Sequence, residues 1–359
     1  MQLIVYVDMD AFYLSCELIR HPELVGSPAV VAHDPKDGKG RGVVLSASYE
    51  ARALGFRSAM PVKEAWRQKD KVAWLLPDFP FYEATSGKVM HYLRSRSSLA
   101  RALSIDEAAY PIDVEGVKEA ELEARAVQRE IRDRFSLSSS IGVASSLTVA
   151  KVASDKGKPG GIVVVAPENI ASFLAALPVR ALPGVGPVTE SALKKVGAEK
   201  VEDLKRVPFP SLVRAVGSMA RSLVMLAEGR TPEEEWPEEL PPKSVGSMVT
   251  FDEDLVDESS LLKGVASLGE TLGRSLQEKG SLYRTVTLRI RWEDLSSVQR
   301  SRTIPHPTSD TEVLTALAQK ILREIFRSPE RSGRGVRTLG LTVQGLHPQD
   351  PAQRTLPQS

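Results

Sequence analysis

The first apolar run, "LIVYVD", is continuous from Leu3 to Val7 and stops on acids rather than on a turn. Such a short, unbroken run predicts a buried strand. The next stretch, "AFYLSCELI", has apolar residues at near-helical spacing. "SPAVVAH" and "GRGVVLSAS" read as two further strands around the turn-rich "DPKDGKG". "SYEARALG" reads as a short helix that Gly55 stops. Past Pro77, "LARALSIDEAAYPIDV" predicts a pair of strands. The run "KEAELEARAVQREIRDRF" is an amphipathic helix with Val127, Ile131 and Phe135 on one face. "SSSIGVASS" and "GGIVVVA" are strands flanking the helix "LTVAKVASDK". No regular βαβ repeat emerges, so the class is α+β rather than doubly wound.

From Pro167 to about Arg230 the pattern is all-helical. "TPEEEWPEELPPK", rich in Pro and Glu, reads as a linker. Beyond Lys243 comes a separate module of four or so strands and two helices, "LLKGVASLGETLGRSLQEKG" and "DTEVLTALAQKILREIF". The last residues, "HPQDPAQRTLPQS", read as a tail.

At 359 residues the chain has room for two or three domains. Its net charge of +1 argues against a wholly basic nucleic-acid binder, but local counting changes the picture. Arg274 to Gly345 holds 13 Lys and Arg against 7 Asp and Glu, whereas Glu228 to Glu258 holds 2 against 11. A basic C-terminal segment behind an acidic connector points to a polyanionic partner. The single cysteine, Cys16, excludes a disulfide framework and a Cys-based zinc site. No apolar run reaches the roughly 18 residues of a membrane span, and no signal peptide is visible. The expectation is a cytoplasmic protein without membrane attachment.

Asp8 and Asp10 lie two apart at the end of the first strand and share a face. Either could cap the helix that follows. A second pair, Asp106 and Glu107 in "LSIDEAAY", lies within another apolar stretch, where unpaired carboxylates are costly to bury. Two apolar strands that both deliver carboxylates are accounted for if a hard divalent cation sits between them. Adjacent strand residues face opposite ways, however. For Asp106 and Glu107 to act together, a turn or strong twist at Glu107-Ala108-Ala109 is expected. Tyr49 and Arg52, three apart on a helix, share a face that could grip triphosphate oxygens, although the residues by themselves favour a solvent-facing Arg beside a packed Tyr. "KGKPGG" lacks the Walker spacing, so an ATPase reading fails. "LPGVGPVTESALKKVGA" has glycines for a tight hairpin, Pro187 for a first helical turn and Gly197 for its end. Free amides at such a helix start grip phosphate without regard to sequence. In the C-terminal module Arg289 and Arg291 share a strand face, and Arg300, Arg302, Arg334 and Arg337 lie nearby.

Together, "VDMDAFYLSCE", "SYEARALGF", "SIDEA" and "AKVASDKGKPGG", collinear and followed by the "PGVG" segment, resemble the signature set of the Y-family translesion DNA polymerases. The polymerase IV-like branch of bacteria and archaea is the most similar. The resemblance runs from Leu3 to about Gly345. It implies a right-hand polymerase with a ferredoxin-like palm at 1–10 and 77–166 and small fingers at 11–76. A helical thumb with a helix-hairpin-helix follows at 167–230, then a linker at 231–242, an α/β little finger at 243–345 and a flexible tail at 346–359. It further implies that Asp8, Asp106 and Glu107 are catalytic and, with the Met9 carbonyl, hold two Mg²⁺ ions, which Mn²⁺ can replace. Asp10 is then structural. Tyr13 becomes a steric gate against ribose, and Phe12, Ser46, Tyr49, Arg52 and Lys158 join it around the nucleotide. Gly184, Gly186 and the six arginines become DNA contacts. The implied partners are primer-template DNA and dNTP, bound by a monomer, with a sliding clamp at the tail as a further candidate. Small residues at Gly55, Ser58 and Ala59 imply a loosely covered template base, hence low fidelity and low processivity.

The chain departs from the family pattern after "SIDEA", where Tyr110 and Asp113 are displaced and Pro111 enters the strand. Proline there implies an edge strand or a bulge. A nucleotide cyclase could share the acidic palm, but gives no reason for the "PGVG" hairpin or the basic module. The other alternative is a non-catalytic, polymerase-like DNA-binding protein, against which the intact acids count.

Overall fold

The computed structural model describes residues 1–230 and 242–348. The expected linker, apart from residue 242, and the tail from residue 349 onward lie outside the described residues. The chain divides into two compact units, Met1–Glu239 and Leu240–Ser359.

In the first unit the order is β1 (Gln2–Met9), α1 (Phe12–Arg20), β2 (Ala29–Ala32), β3 (Val44–Ala47), α2 (Tyr49–Ala53), α3 (Val62–Ala65), β4 (Ala73–Leu75) and α4 (Phe79–Arg96). It continues through β5 (Arg101–Ala102), β6 (Glu107–Asp113), α5 (Val117–Phe135), β7 (Ser139–Ala144), α6 (Leu147–Gly157) and β8 (Ile162–Val164). Helices α7 (Ile170–Ala175), α8 (Pro187–Lys195), α9 (Phe209–Val216) and α10 (Met219–Ala227) complete it.

The main sheet runs β5-β6-β1-β7-β8, which puts β1 at its centre and explains the unbroken apolar run. Leu3, Val5, Val7 and Met9 face α4 and α5, packing with Tyr82, Val89, Leu93, Val127 and Ile131. Each of those four is at most 1% exposed, and burial of such a side chain contributes roughly 1.5–3 kcal/mol. Tyr6 points the other way, toward α6 and the helices beyond residue 167. Even-numbered Asp8 therefore emerges on the α6 side. Pro111 pairs with Ile4 without a register shift, so there is no bulge. Strand β5 covers only Ala108 and Ala109, which leaves β6 without a second neighbour at Pro111. A smaller sheet, β3-β2-β4, carries α2 and α3 on its own apolar cluster.

Strand β7 and helix α6 approach at Gly142, where an added Cβ would lie 1.9 Å from the Ala150 carbonyl oxygen and 2.4 Å from the Ser154 nitrogen. Both are backbone atoms of a buried helix and cannot swing aside. Gly142→Ala is expected to cost about 3 kcal/mol or more. Denaturant melts should show a lower midpoint at unchanged slope; a midpoint equal to wild type would refute this packing.

The second unit contains β9 (Ser244–Leu255), α11 (Glu258–Glu278), β10 (Ser281–Trp292), β11 (Ser297–Thr308), α12 (Thr311–Phe326), β12 (Val336–Gln344) and β13 (His347–Pro348). Its sheet order is β11-β10-β12-β9, with β13 beside β10. Val286, Leu288, Ile290 and Trp292 pack on α11 and α12. The alternate residues Thr285, Thr287, Arg289 and Arg291 then line the opposite, open face.

Candidate active site

Asp8, the last residue but one of β1, pairs directly with Glu107, the first residue of β6. Both carboxylates thus lie on the α6 side of the sheet. The bend expected at Glu107-Ala108-Ala109 is absent, because those residues pair in plain register with Asp8, Val7 and Tyr6. The chain turns one step earlier. The amides of Leu103 and Ser104 both donate to the Glu107 carbonyl, at 2.8 and 3.2 Å, and close a hairpin tip. Asp106 lies in that tip, free of strand alternation, while its carbonyl accepts from the Met9 amide at 2.9 Å. The Ser104 hydroxyl donates to Asp106 Oδ1 at 2.6 Å.

Two lysines lie against these acids. Lys158 donates to Asp8 Oδ2 at 2.6 Å and to Asp155 Oδ1 at 2.8 Å. Lys151, on α6, donates to Glu107 Oε1 and, at 3.1 Å, to the Tyr6 hydroxyl. Burial pushes the Asp8 carboxyl up to about 7; Lys158 opposes the shift, and the charges of Glu107 and Asp106 reinforce it. Burial alone would raise Glu107 too, but Lys151, together with hydrogen bonding from Tyr6 and Asp8, outweighs it and holds that carboxyl below its usual range.

Among the described residues no three acidic, His or Cys side chains close into a ready-made metal cage. The donor chemistry nevertheless fits a hard divalent cation. All three acids offer carboxylate oxygens, and at the buried Asp8 Lys158 only partly offsets the cost of burying its charge, which a cation would offset further. Asp10 is turned away from them, accepting from Ser138 Oγ at 2.6 Å, Ser140 Oγ at 2.8 Å and the Gly160 amide at 2.9 Å. It fastens β1, β7 and the loop after α6 together.

Between Asp10 and α1, Ala11 adopts the left-handed conformation, with φ 45° and ψ 45°. This turns the chain from strand into helix within one residue. Tyr13 follows, half-buried, and its phenol is raised first by burial and then by the charge of Asp106, which places the ring beside the acids. Phe79 and Tyr82 flank it, with centroids at 6.0 and 4.9 Å. Phe12 is 3% exposed and packs in the core, and Ser46 is 4% exposed within β3. Both side chains are almost wholly buried. Arg52 stacks over the Tyr49 ring at 4.6 Å and donates Nε–H to the Ala47 carbonyl. Burial raises the Tyr49 phenol, with the charge of Asp10 the next cause and that of Asp8 a smaller one.

Gly184 has φ +82°, a value that disfavours any side chain, and Gly186 caps α8 with Pro187 in its first turn. Arg180 ties the hairpin by donating to the Val185 carbonyl.

In the second unit Arg289 and Arg291 line, with Met248, Thr250, Thr338 and Gly340, a shallow cavity of about 330 Å³ on the open sheet face. Arg300 pairs across the ladder with Leu288, and Arg302 with Val286, so both lie on the helix-bearing face. Arg300 grips both oxygens of Glu330, at 2.7 and 2.8 Å, and Arg302 pairs with Glu324. Arg334 donates to Asp294 at 2.9 Å and lies over the Trp292 ring. Arg337 is half-buried at the register shift of β12. The six arginines thus form no single surface.

Lys151, Tyr6 and Ser104 were not singled out from sequence. A usable signal existed for the first: Lys151 and Asp155 stand four apart on α6, with Lys158 three residues further, just past its end.

A family model described as the impB/mucB/samB family matches residues 7–155. The model of that family's C-terminal domain matches residues 242–356, and a model of its HHH motif matches 167–198. DNA polymerase IV 2 of Methanosarcina mazei is 37% identical over 355 residues, covering 98% of this chain and 94% of the relative. DNA polymerase IV of Alkalilimnicola ehrlichii is 38% identical over 347 residues, covering 96% of this chain and 95% of the relative. Among solved structures, a Y-family DNA polymerase chimera built from Dbh and Dpo4 has a TM-score of 0.86 at 26% identity, covering 97% of this chain and all of that one. An insertion ternary complex of Dbh DNA polymerase has a TM-score of 0.68 at 26% identity, with the same coverage.

Proposed function

The chain belongs to the impB/mucB/samB family, the Y-family DNA polymerases, and from that premise we propose how its site works. It is a DNA-directed DNA polymerase of the translesion type. Its reaction joins a primer 3′-hydroxyl to the α-phosphate of a dNTP and releases pyrophosphate. Enzymes of this family use divalent metal ions; Mg²⁺, two per site and replaceable by Mn²⁺, is the assignment made here. Bound divalent cations lower the pKa of the attacking hydroxyl and stabilise the leaving oxygen. The observation that carries the assignment is the convergence of Asp8, Glu107 and Asp106 at one end of the central strand pair. Asp8, Asp106 and Glu107, with the Met9 carbonyl, would hold the cations through oxygen donors.

Lys158, in reach of Asp8, turns to the triphosphate when the nucleotide is bound, and the exposed Arg52 meets it from α2. Lys151 and Tyr6 hold the Glu107 carboxylate in one orientation. Tyr13 lies under the sugar and excludes a 2′-hydroxyl by collision. Gly55, Ser58 and Ala59, all exposed, cover the template base loosely, which accounts for low fidelity and low processivity. The start of α8 and the Arg289–Arg291 face hold DNA phosphates. The palm, fingers, thumb and little finger are assigned with the boundaries given above. No described helix is long and apolar enough to cross a membrane. We assign the enzyme to the cytoplasm as a monomer; a clamp contact would use the tail, outside the described residues.

Primer extension with one dNTP at a time tests this directly: template-dependent addition that stops in chelator is expected. A folded protein that extends nothing would favour the non-catalytic, DNA-binding alternative. A pH effect follows from Asp8. Its carboxyl is raised to about 7, so below that pH a proton competes for the oxygens a cation needs. Divalent-ion affinity, followed by Mn²⁺ titration without DNA, is expected to fall roughly tenfold per unit below pH 7 and to level off above pH 8. A flat profile from pH 6 to 8 would remove Asp8 from the ligand set.

A further inference from the structure

Behind Tyr13 lies a buried polar pair that the reaction does not use. Glu17 stands four residues along α1 from Tyr13, on the same helical face, and is only 4% exposed. Its Oε1 accepts a hydrogen bond from the Tyr82 hydroxyl at 2.6 Å, and Tyr82 is itself fully buried. The Tyr82 ring lies against Tyr13, with centroids 4.9 Å apart and planes tilted by 37°. Phe79 stands edge-on to both rings at 6.0 Å.

A carboxylate in an apolar core is costly even when hydrogen-bonded. Leucine and phenylalanine would fill the same space without that cost. What the pair provides is a fixed place for the Tyr82 ring, held by packing along its faces and by Glu17 at its tip. Burial, reinforced by Glu17, pushes the Tyr82 phenol well up, so it remains a donor at every working pH. An outer tether supports the same geometry. Arg20 of α1 donates to Asp78 Oδ2 at 2.8 Å, and Asp78 caps α4 through the Phe81 amide. Helices α1 and α4 are thus joined at two levels, with the Tyr13–Tyr82 contact beside the inner one.

We propose that Tyr82, anchored by Glu17, is the positioning residue that sets how high the Tyr13 ring stands under the sugar, and so how strongly ribonucleotides are excluded. The proposal rests on Tyr13 being the sugar gate. A filter that works by collision is only as selective as its wall is stiff, and about an ångström of slack is enough to weaken it.

The test compares kcat/KM for a dNTP and the matching NTP across variants. Tyr82→Phe keeps the ring and loses the anchor; it is expected to lower the dNTP/NTP ratio about three- to tenfold, with dNTP insertion within about threefold of wild type. Glu17→Gln keeps an acceptor and should retain the wild-type ratio, whereas Glu17→Leu should match Tyr82→Phe and replaces it if that variant fails to fold. In a Tyr13→Ala background, Tyr82→Phe should change the ratio no further. A purely structural role would lower dNTP and NTP insertion together, leaving the ratio intact, and would overturn the proposal. If Tyr13→Ala alone leaves the ratio at wild type, the sugar-gate reading fails and this one with it. If Tyr13→Ala collapses the ratio while Tyr82→Phe and Glu17→Leu do not, the gate stands and the anchoring role is refuted.

Discussion

Asp106→Ala is expected to lower single-nucleotide insertion by roughly three orders of magnitude or more, with little loss of stability. The asymmetry comes from where the residue sits. Asp106 occupies a hairpin tip rather than a ladder position, and its side chain's described hydrogen bond is with Ser104 beside it. Its loss removes a local contact and opens no cavity. Glu107→Ala is a poorer probe, because it leaves the Lys151 ammonium half-buried without its carboxylate partner and mixes stability with activity. Single-turnover insertion on primed template, alongside a thermal melt, separates the two effects. Insertion within tenfold of wild type in a folded Asp106→Ala protein would mean that the metal site lies elsewhere.

Tyr13→Ala should have the second-largest effect, on selectivity more than on rate. The dNTP preference, measured as a ratio of kcat/KM values, is expected to fall about a hundredfold. Tyr13 is half-buried and stacks on Phe79 and Tyr82, so truncation leaves a trough where the ring stood rather than a sealed void. The dNTP reaction itself should persist. An unchanged preference would show that some other side chain meets the sugar.

Much of this site could be read from the chain because its signals are local. The run "LIVYVD" ends in acids without a turn residue, and that alone marks a strand delivering charge to one end of a sheet. The acids of "SIDEA" stand out against apolar neighbours for the same reason. What could not be read depends on partners far along the chain. Strand alternation makes Asp10 equivalent to Asp8 and only the family resemblance set it apart, because the groups that occupy it, Ser138, Ser140 and Gly160, lie some 130 to 150 residues away. The turn that releases Asp106 was expected inside the strand and lies before it, since one backbone carbonyl, that of Glu107, gathers two amides. Strand β11 is largely exposed and has no apolar run to mark it as a strand at all, although its Pro305 and Pro307 suit the edge position it occupies. Without the β10–β11 register there was no way to know that Arg300 and Arg302 face away from Arg289 and Arg291.

The left-handed turn at Ala11 constrains chain length more than chain chemistry. Both flanks of the turn are fastened: Met9 to Asp106 and Asp10 to Ser138 on one side, Ser15 back to Ala11 on the other. The acid at position 8 and the ring at position 13 are therefore a fixed number of bonds apart, with no slack to redistribute. Substitutions along this segment can be absorbed one at a time, but an inserted or deleted residue would rotate the whole of α1 by about 100°. It would carry Tyr13 off its neighbours while leaving the acids in place. Indels in related chains should accordingly collect in turns such as the one between β2 and β3, and be purged from the six residues that join acid to ring.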